Sequence, residues 1–447
     1  MKKIIALLLA ALMLLSVMAG CAKEATTPDT PADTTNTPAT ETKPEETEKT
    51  EKTVMTAMFL GSTSEQAVVD IIQNVTDKFN AENDFNVEFK FETYENEDYK
   101  TKLATVMASN SAPDVFFTWT AGYLKPFVEG GKVYEIGQLL DQDAEWKDRF
   151  NEGVFGPVTY DGGVYAVPHG QSVATVFYNT RLFEQYGVAV PATYDEFLAA
   201  CQTFIDNGIA PISVPAQDAW IAGQFLQQLA DGVGGMDLYN GTVDGSRAWN
   251  DADYVTAGNL FGDLAAMGAF QDGYLGMSND EGRNLFTQEK TAMYYMGSWD
   301  ITVLQDSDIG EYVDVFNIPA SNPAAGNVAL GDVDQCLAIS ANCSNPEAAA
   351  AYIKLFSDVE AQEAYAYNAN YLLATKTPLD ESKLSPLFVS VNALQQELTG
   401  ITPWLDRVFG AGEGVEFNNV AQAIMAGRDS QEKFDELQQF AIDNADR

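Results

Sequence analysis

The chain is short of histidine and of positive charge. Its 447 residues include one histidine, His169, and 25 lysines and arginines against 65 acidic residues, for a formal net charge of −40. A single histidine removes most metal sites and leaves His-dependent nucleophilic chemistry resting on one residue. The HExxH, P-loop, GxSxG and GxGxxG patterns are absent. Asp306-Ser307-Asp308 opens like a calcium loop, but the spacing that should follow fails. So acidic a chain repels nucleic acid and anionic lipid, and disfavours an anionic ligand. With so many carboxylates a glycosidase pair is compatible with the sequence, but nothing singles one out.

Cysteine is scarce too: Cys21, Cys201, Cys336 and Cys343, with no CxxC pair. Cys201 shares a helical stripe with Phe197, Phe204 and Ile205 and reads as core. Cys336 and Cys343 are either a pair or, the plainer reading, two small buried thiols. No disulfide framework is indicated. Residues 22–53 contain no aromatic residue and no Ile, Leu, Val or Met. Such a segment cannot bury enough apolar surface to offset its ordering entropy, so a solvated tether is expected. Stretched, it reaches on the order of 100 Å; as a coil it spans about 30 Å.

What is present begins at the N-terminus. Lys2 and Lys3 precede an apolar run from Ile4 to Leu15, and small residues lead to Ala19-Gly20-Cys21. The run is short for a bilayer span of about 20 residues. The segment reads as a secretory signal. It resembles a bacterial lipoprotein signal, cleaved before a lipid-modified cysteine, with Met18 where leucine is usual. That resemblance implies residues 1–20 as signal peptide, lipidation at Cys21, and a tethered protein on the outer face of the cytoplasmic membrane of a Gram-positive-type cell.

The whole chain is 46% hydrophobic and 11% aromatic, so the part after Thr53 has ample core material and is long enough for two or more domains. Val54 to Leu60 reads as a strand. Ser62 and Glu65 have capping-box spacing ahead of a helical stripe of Val68, Ile71, Ile72, Val75 and Phe79. Phe85, Val87, Phe89 and Phe91 alternate as in a strand, a helix follows around Asp98 to Ala108, and Val115 to Phe117 forms a short buried strand. The grammar recurs: a strand at Val173 to Tyr178, a capping box at Thr193 and Glu196 on a helix ending at Gly208, and a strand from Ile209 to Val214. Cys336 to Ser340 is strand-like, and Asn345-Pro346 opens a helix. Helices dominate beyond Ala348. Strands alternating with helices predict an α/β fold of two lobes with helical elaboration.

Three stretches carry a more specific signal. The first is Ala112-Pro113-Asp114-Val115-Phe116-Phe117-Thr118-Trp119, continuing to Gly130-Gly131. The second runs from Asp161-Gly162-Gly163 through Phe177-Tyr178-Asn179-Thr180-Arg181-Leu182-Phe183 and Pro191-Ala192-Thr193-Tyr194 to Ile212. The third is Met296-Gly297-Ser298-Trp299-Asp300. In this order and spacing the chain resembles the bacterial extracellular solute-binding protein family 1, ligand-capturing lipoproteins of ATP-driven sugar importers with the maltose-binding-protein fold. The resemblance implies the two-lobed periplasmic-binding-protein fold (type II-like), with ligand in a cleft between lobes joined by hinge strands. Lobe 1 would be 54–170 plus 318–370, and lobe 2 171–317 plus 371–447, with crossings near His169–Ser172, Phe316–Pro319 and Asn368–Thr375.

The same resemblance implies a monomeric binding protein, not an enzyme. It would capture a sugar, most simply an oligosaccharide, and deliver it to membrane permease subunits served by a cytoplasmic ATPase, with no cofactor, metal or nucleic acid. An extracellular carbohydrate-active enzyme, or the same fold binding a polyol, glycerophosphoester or peptide, are the alternatives. A sugar offers apolar C–H faces and a rim of hydroxyls, which call for aromatic rings and for carboxylates or amides. Trp119 follows a strand end, where open α/β sheets place ligands, and Trp299 is the tryptophan of Gly-Ser-Trp. Asp218, Trp220 and Trp404 fall where such proteins place a carboxylate and stacking aromatics. Glu65, Gln171, His169 and Asp332 complete the candidates; Glu65 has its capping role, and Gln171 and His169 a hinge role, as the alternative reading. Asp334 is a weaker candidate beside Asp332, and Asp300 is expected to support Trp299.

Overall fold

The computed structural model describes residues 52–61 and 65–444. The signal, Cys21, the tether up to residue 51 and Ser62 of the first capping box lie outside them, and Thr53, expected at the end of the tether, opens the first strand. Ten strands among the described residues form one sheet. They are β1 (Thr53–Leu60), β2 (Val87–Tyr94), β3 (Val115–Thr118), β4 (Val167–Asn179), β5 (Ala210–Ser213), β6 (Thr291–Gly297), β7 (Val313–Phe316), β8 (Val328–Ile339), β9 (Leu372–Leu373) and β10 (Gly400–Thr402). The main order is β2-β1-β3-β8-β4-β6-β5, with β7 and β9 on β4 and β10 on β8.

Helices connect the strands. Those that matter for the site are α1 (Gln66–Glu82), α2 (Asn96–Ala108), α3 (Tyr194–Asp206), α4 (Ala219–Val243), α5 (Ala252–Ala266), α6 (Asn279–Thr287), α7 (Pro346–Phe356) and α8 (Leu405–Phe409). The local signals explain several starts. Thr193 and Glu196 form a reciprocal capping box on α3, and the Asn345 side chain accepts the Ala348 N–H at 3.1 Å ahead of α7, with Pro346 in its first turn. β1 pairs parallel with β2 and β3, the arrangement that βαβ crossovers impose.

Two hydrophobic cores result. One packs β1–β3, α1 and α7, with Phe89 stacked on Tyr352 at 4.1 Å. The other surrounds β4 to β6 and the long helix α4, with Phe225 stacked on Phe261 of α5 at 5.3 Å. β4 and β8 belong to both. On β4 the core changes between Val167 and Val173, and on β8 between Leu330 and Val333. By core membership the second change thus falls inside β8, later than the crossing expected near Phe316–Pro319.

The antiparallel pairing of β4 and β8 is irregular at this point. Val333 faces Gln171 and Gln335 faces Gly170, so Asp334 is an extra residue on β8. Cys336 then faces Pro168, so His169 is an extra residue on β4. Two bulges, one on each strand, cancel in register while bending the ladder and re-aiming side chains.

Some expectations differ from the fold. Phe85 is not in β2: Asn86 takes a left-handed φ of 55° and turns the chain, leaving Phe85 exposed. β4 and β8 are much longer than their apolar segments, because both continue through polar and glycine-rich residues at the bulges. α4 was not legible, being buried on nearly every side without one apolar stripe. It bends at Gly235, whose φ of 62° excludes a helical continuation and where a Cβ would meet the Ala325 carbonyl at 2.8 Å. Cys201, Cys336 and Cys343 are free thiols, and Cys343 is only partly buried.

α4 also buries a carboxyl. Asp231 accepts the Thr402 hydroxyl at 2.5 Å, and burial pushes its pKa up from 3.8 to about 8. The folded state therefore keeps a proton that the unfolded chain loses above pH 3.8, so stability is full below that pH and falls as pH rises to about 8. The slope from this one group is about 1.4 kcal/mol per pH unit. Asp231→Asn should remove that slope from urea melts recorded between pH 4 and 8; an unchanged slope would show that Asp231 is already ionised in the fold.

Candidate functional site

A cleft of about 430 Å³ opens where both cores meet the bulged strands. Its walls come from the carboxyl ends of strands and the N-termini of helices, the usual ligand position in open α/β sheets. Trp119 and Tyr123 follow β3, Asp218 and Trp220 open α4, and Trp299 follows β6. Asp334 and Gln335 come from the β8 bulge, and Trp404, Asp406 and Arg407 from the start of α8.

Trp299 owes its position to a glycine. A Cβ on Gly297 would lie 2.2 Å from the indole ring, so the ring folds back over a bare α-carbon. This is the physical content of the Gly-Ser-Trp sequence. The turn is pinned from behind by Asp300, which accepts from Arg283 Nε at 2.9 Å and from the Tyr294 hydroxyl at 2.8 Å. Arg283 in turn sits on α6, whose start is fixed by a Ser278–Glu281 capping box. Trp299 contacts Trp220 at 5.9 Å and Trp404 at 6.2 Å between ring centroids, making an aromatic wall. Trp299 and Trp220 are partly exposed, whereas Trp404 is 3% exposed and has the Arg407 guanidinium carbon 4.2 Å over its ring.

The opposite wall is also aromatic and charged. Trp119 is 6% exposed, edge-on to Phe117 at 5.1 Å and 5.5 Å from Tyr123. Lys100 Nζ lies 5.5 Å from the Trp119 ring and forms an ion pair with Glu97 at 2.7 Å. Arg407 is bound by Asp334, whose other oxygen accepts the Ser172 hydroxyl. Asp218 opens α4 without making a side-chain cap bond. Burial first, and the Glu97 charge second, raise its pKa above the ordinary aspartate value, while Lys100 opposes the shift.

Of the sequence candidates, the cleft brings together Trp299, Trp220, Trp404, Trp119, Asp218 and Glu65. Asp334 and Asp300 join them. Three are not among the lining residues. His169, bulged out of register, lies among the aromatics of the first core, 5.5 Å from Tyr365, where burial lowers its pKa to about 3. Gln171 sits on the bulged ladder opposite Val333 and Leu372. Asp332 turns its carboxylate to the Val333 N–H at 2.6 Å, and burial raises its pKa to about 6.

Sequence reading missed Glu97, Lys100, Tyr123, Arg283 and Arg407. For Arg283 a signal existed, the Ser-Asn-Asp-Glu capping box just before it. Arg407 carried none, since its partner Asp334 lies on a distant strand.

A family model described as bacterial extracellular solute-binding protein matches residues 62–363. An uncharacterized ABC transporter extracellular-binding protein of Pyrococcus horikoshii is 23% identical over 60% of this chain; the match spans 59% of that relative's length. A multiple sugar-binding protein of Streptococcus mutans is 25% identical over 65% of this chain and 69% of its own. A structure from work on xylan utilization by Caldanaerobius polysaccharolyticus superposes with a TM-score of 0.81 at 27% identity, over 86% of this chain and 99% of that one.

Because Trp299 depends on a bare α-carbon beneath it, Gly297→Ala should displace the indole. We expect the intrinsic tryptophan fluorescence to change while far-ultraviolet circular dichroism stays native. An unchanged emission spectrum would mean that the ring does not rest on Gly297.

Proposed function

The chain belongs to the bacterial extracellular solute-binding proteins, and on that premise we propose that it reversibly captures a saccharide in the cleft and delivers it to an ABC importer. The observation that carries this reading is the partly exposed pair Trp299 and Trp220, backed by the buried Trp404 and set among carboxylates. Apolar sugar faces stack on indole rings, and ring hydroxyls donate to carboxylates. The indole N–H groups of Trp220 and Trp404 find no protein acceptor, leaving two buried donors for ligand oxygens. The names of the relatives agree: one is a sugar-binding protein, and one similar structure comes from work on xylan use.

In this reading the two cores are two lobes, and the bulged stretch of β4 and β8 is the hinge between them. Lobe 1 would hold residues 54–170 and most of 318–370, and lobe 2 the rest. Closure would cover the ligand and shape a surface for the permease. No catalytic step is involved, and the monomer is the working unit. Cys21, lipidated after removal of residues 1–20, would hold the receptor by the 21–53 tether at the outer face of the cytoplasmic membrane. A Cys21→Ser chain should then leave the membrane fraction for the medium; retention would contradict the anchor.

Binding stabilises the fold by RT ln(1 + [L]/Kd), about 2.7 kcal/mol at a hundredfold excess over Kd. Thermal-shift measurements with neutral mono- and oligosaccharides should find at least one that raises the melting temperature. Trp299→Ala should abolish that rise without lowering the unliganded melting temperature by more than a few degrees. Failure of every sugar to stabilise the protein would contradict the saccharide reading.

A further inference from the structure

Three cations among the described residues line the cleft, and each is already paired. Lys100 is held by Glu97 at 2.7 Å and lies over Trp119 and Tyr123. Arg283 is shared by Asp300 at 2.9 Å and Asp280 at 3.1 Å. Arg407 is bound by Asp334 and laid over Trp404. Each cation is therefore wall material, its charge already answered inside the protein.

The helix ends are answered as well. α1, α2, α4 and α6 all present their N-termini to the cleft, an arrangement that by itself attracts anions. Each carries an acidic residue at its cap or in its first turn: Glu65, Glu97, Asp218 and Asp280 respectively. Among the described residues the Asp218 carboxylate makes neither a hydrogen bond nor an ion pair, and it faces Glu97 and Lys100 from the other core's side of the cleft. A ligand carboxylate or sulfate placed here would meet carboxylates with no cation to spare.

We infer that the cleft selects by charge, taking an uncharged saccharide and rejecting one that bears a carboxylate or sulfate. The inference rests on the saccharide reading and sharpens it. A neutral ring can donate its hydroxyls to Asp218, relieving the cost of a half-buried, unpaired carboxylate. An acidic ring cannot, and it sets like charges against each other in a partly desolvated site.

Calorimetry on matched pairs tests this. Suitable pairs are xylotriose and xylotriose bearing one glucuronic acid, galactotriose and trigalacturonic acid, and maltotriose and its terminal uronate. Where the neutral member binds, its acidic counterpart should bind about tenfold more weakly or worse at low salt, with the gap narrowing as ionic strength rises. Glu97→Gln, which frees Lys100, and Asp218→Asn should each shrink the ratio of the two dissociation constants several-fold. An acidic member that binds as tightly as its neutral partner overturns the inference and leaves the saccharide reading standing. Equal ratios in the wild type and both variants overturn the assignment of the discrimination to these residues. Absence of binding by every sugar removes the saccharide reading and this inference with it.

Discussion

Two strands serve two cores, and the rest of the molecule is arranged around that constraint. β4 and β8 run antiparallel through both hydrophobic clusters, and they change allegiance where Asp334 and His169 bulge from the ladder. A regular ladder would bend little here. The paired bulges keep the register of both ends while weakening the hydrogen bonding between them, which suits a hinge. They also decide which side chains reach the cleft. Asp334 is turned to Ser172 and Arg407, and so fixes the guanidinium that covers Trp404. His169 is turned the other way, into the aromatic core.

The aromatic wall follows from a second set of local causes that meet the first. A bare α-carbon at Gly297 lets Trp299 fold back, and the Asp300–Arg283–Asp280 chain of ion pairs ties that turn to α6. A polar clamp on α4 does the same for Trp404: Gln227 donates to the Pro403 carbonyl at 2.9 Å and accepts from the Leu405 N–H at 2.9 Å, bracketing the tryptophan. Gln227 and Asp231 of α4 are thus satisfied by the segment that carries Trp404. Such networks specify one geometry, because any shift leaves buried donors or acceptors unpaired.

Much of the fold was legible because its elements carry strong local signals. The stripe from Val68 to Phe79, the box at Thr193 and Glu196, and Asn345-Pro346 each mark a helix by mechanisms that act within one or two turns. The bulged strands were only half legible. The sequence marks a strand at Val173 to Tyr178 and another at Cys336 to Ser340, but both run on through Pro168–Gly170 and Gly331–Gln335, which do not alternate because they carry the bulges and pass from one core to the other. The tryptophans of the cleft stood out by type and by the family resemblance. Its charged residues did not: the meaning of Glu97, Lys100 and Arg407 lies in partners that only the folded chain brings near. Trp404 shows the limit from the other side, since its place in the sequence suggested an open stacking ring and the fold covers that ring with Arg407.

If the two cores move about the bulged strands and close on a saccharide, as proposed, the distance between them must change on binding. Spin labels at Glu82, at the end of α1, and at Asp206, at the end of α3, report on one core each; a Cys343→Ser background removes the partly accessible thiol. Pulsed electron resonance with and without a saturating sugar identified by thermal shift measures the distance between them directly. Closure on the sugar should shift the distance distribution and narrow it. An identical distribution in the free and bound protein would contradict it.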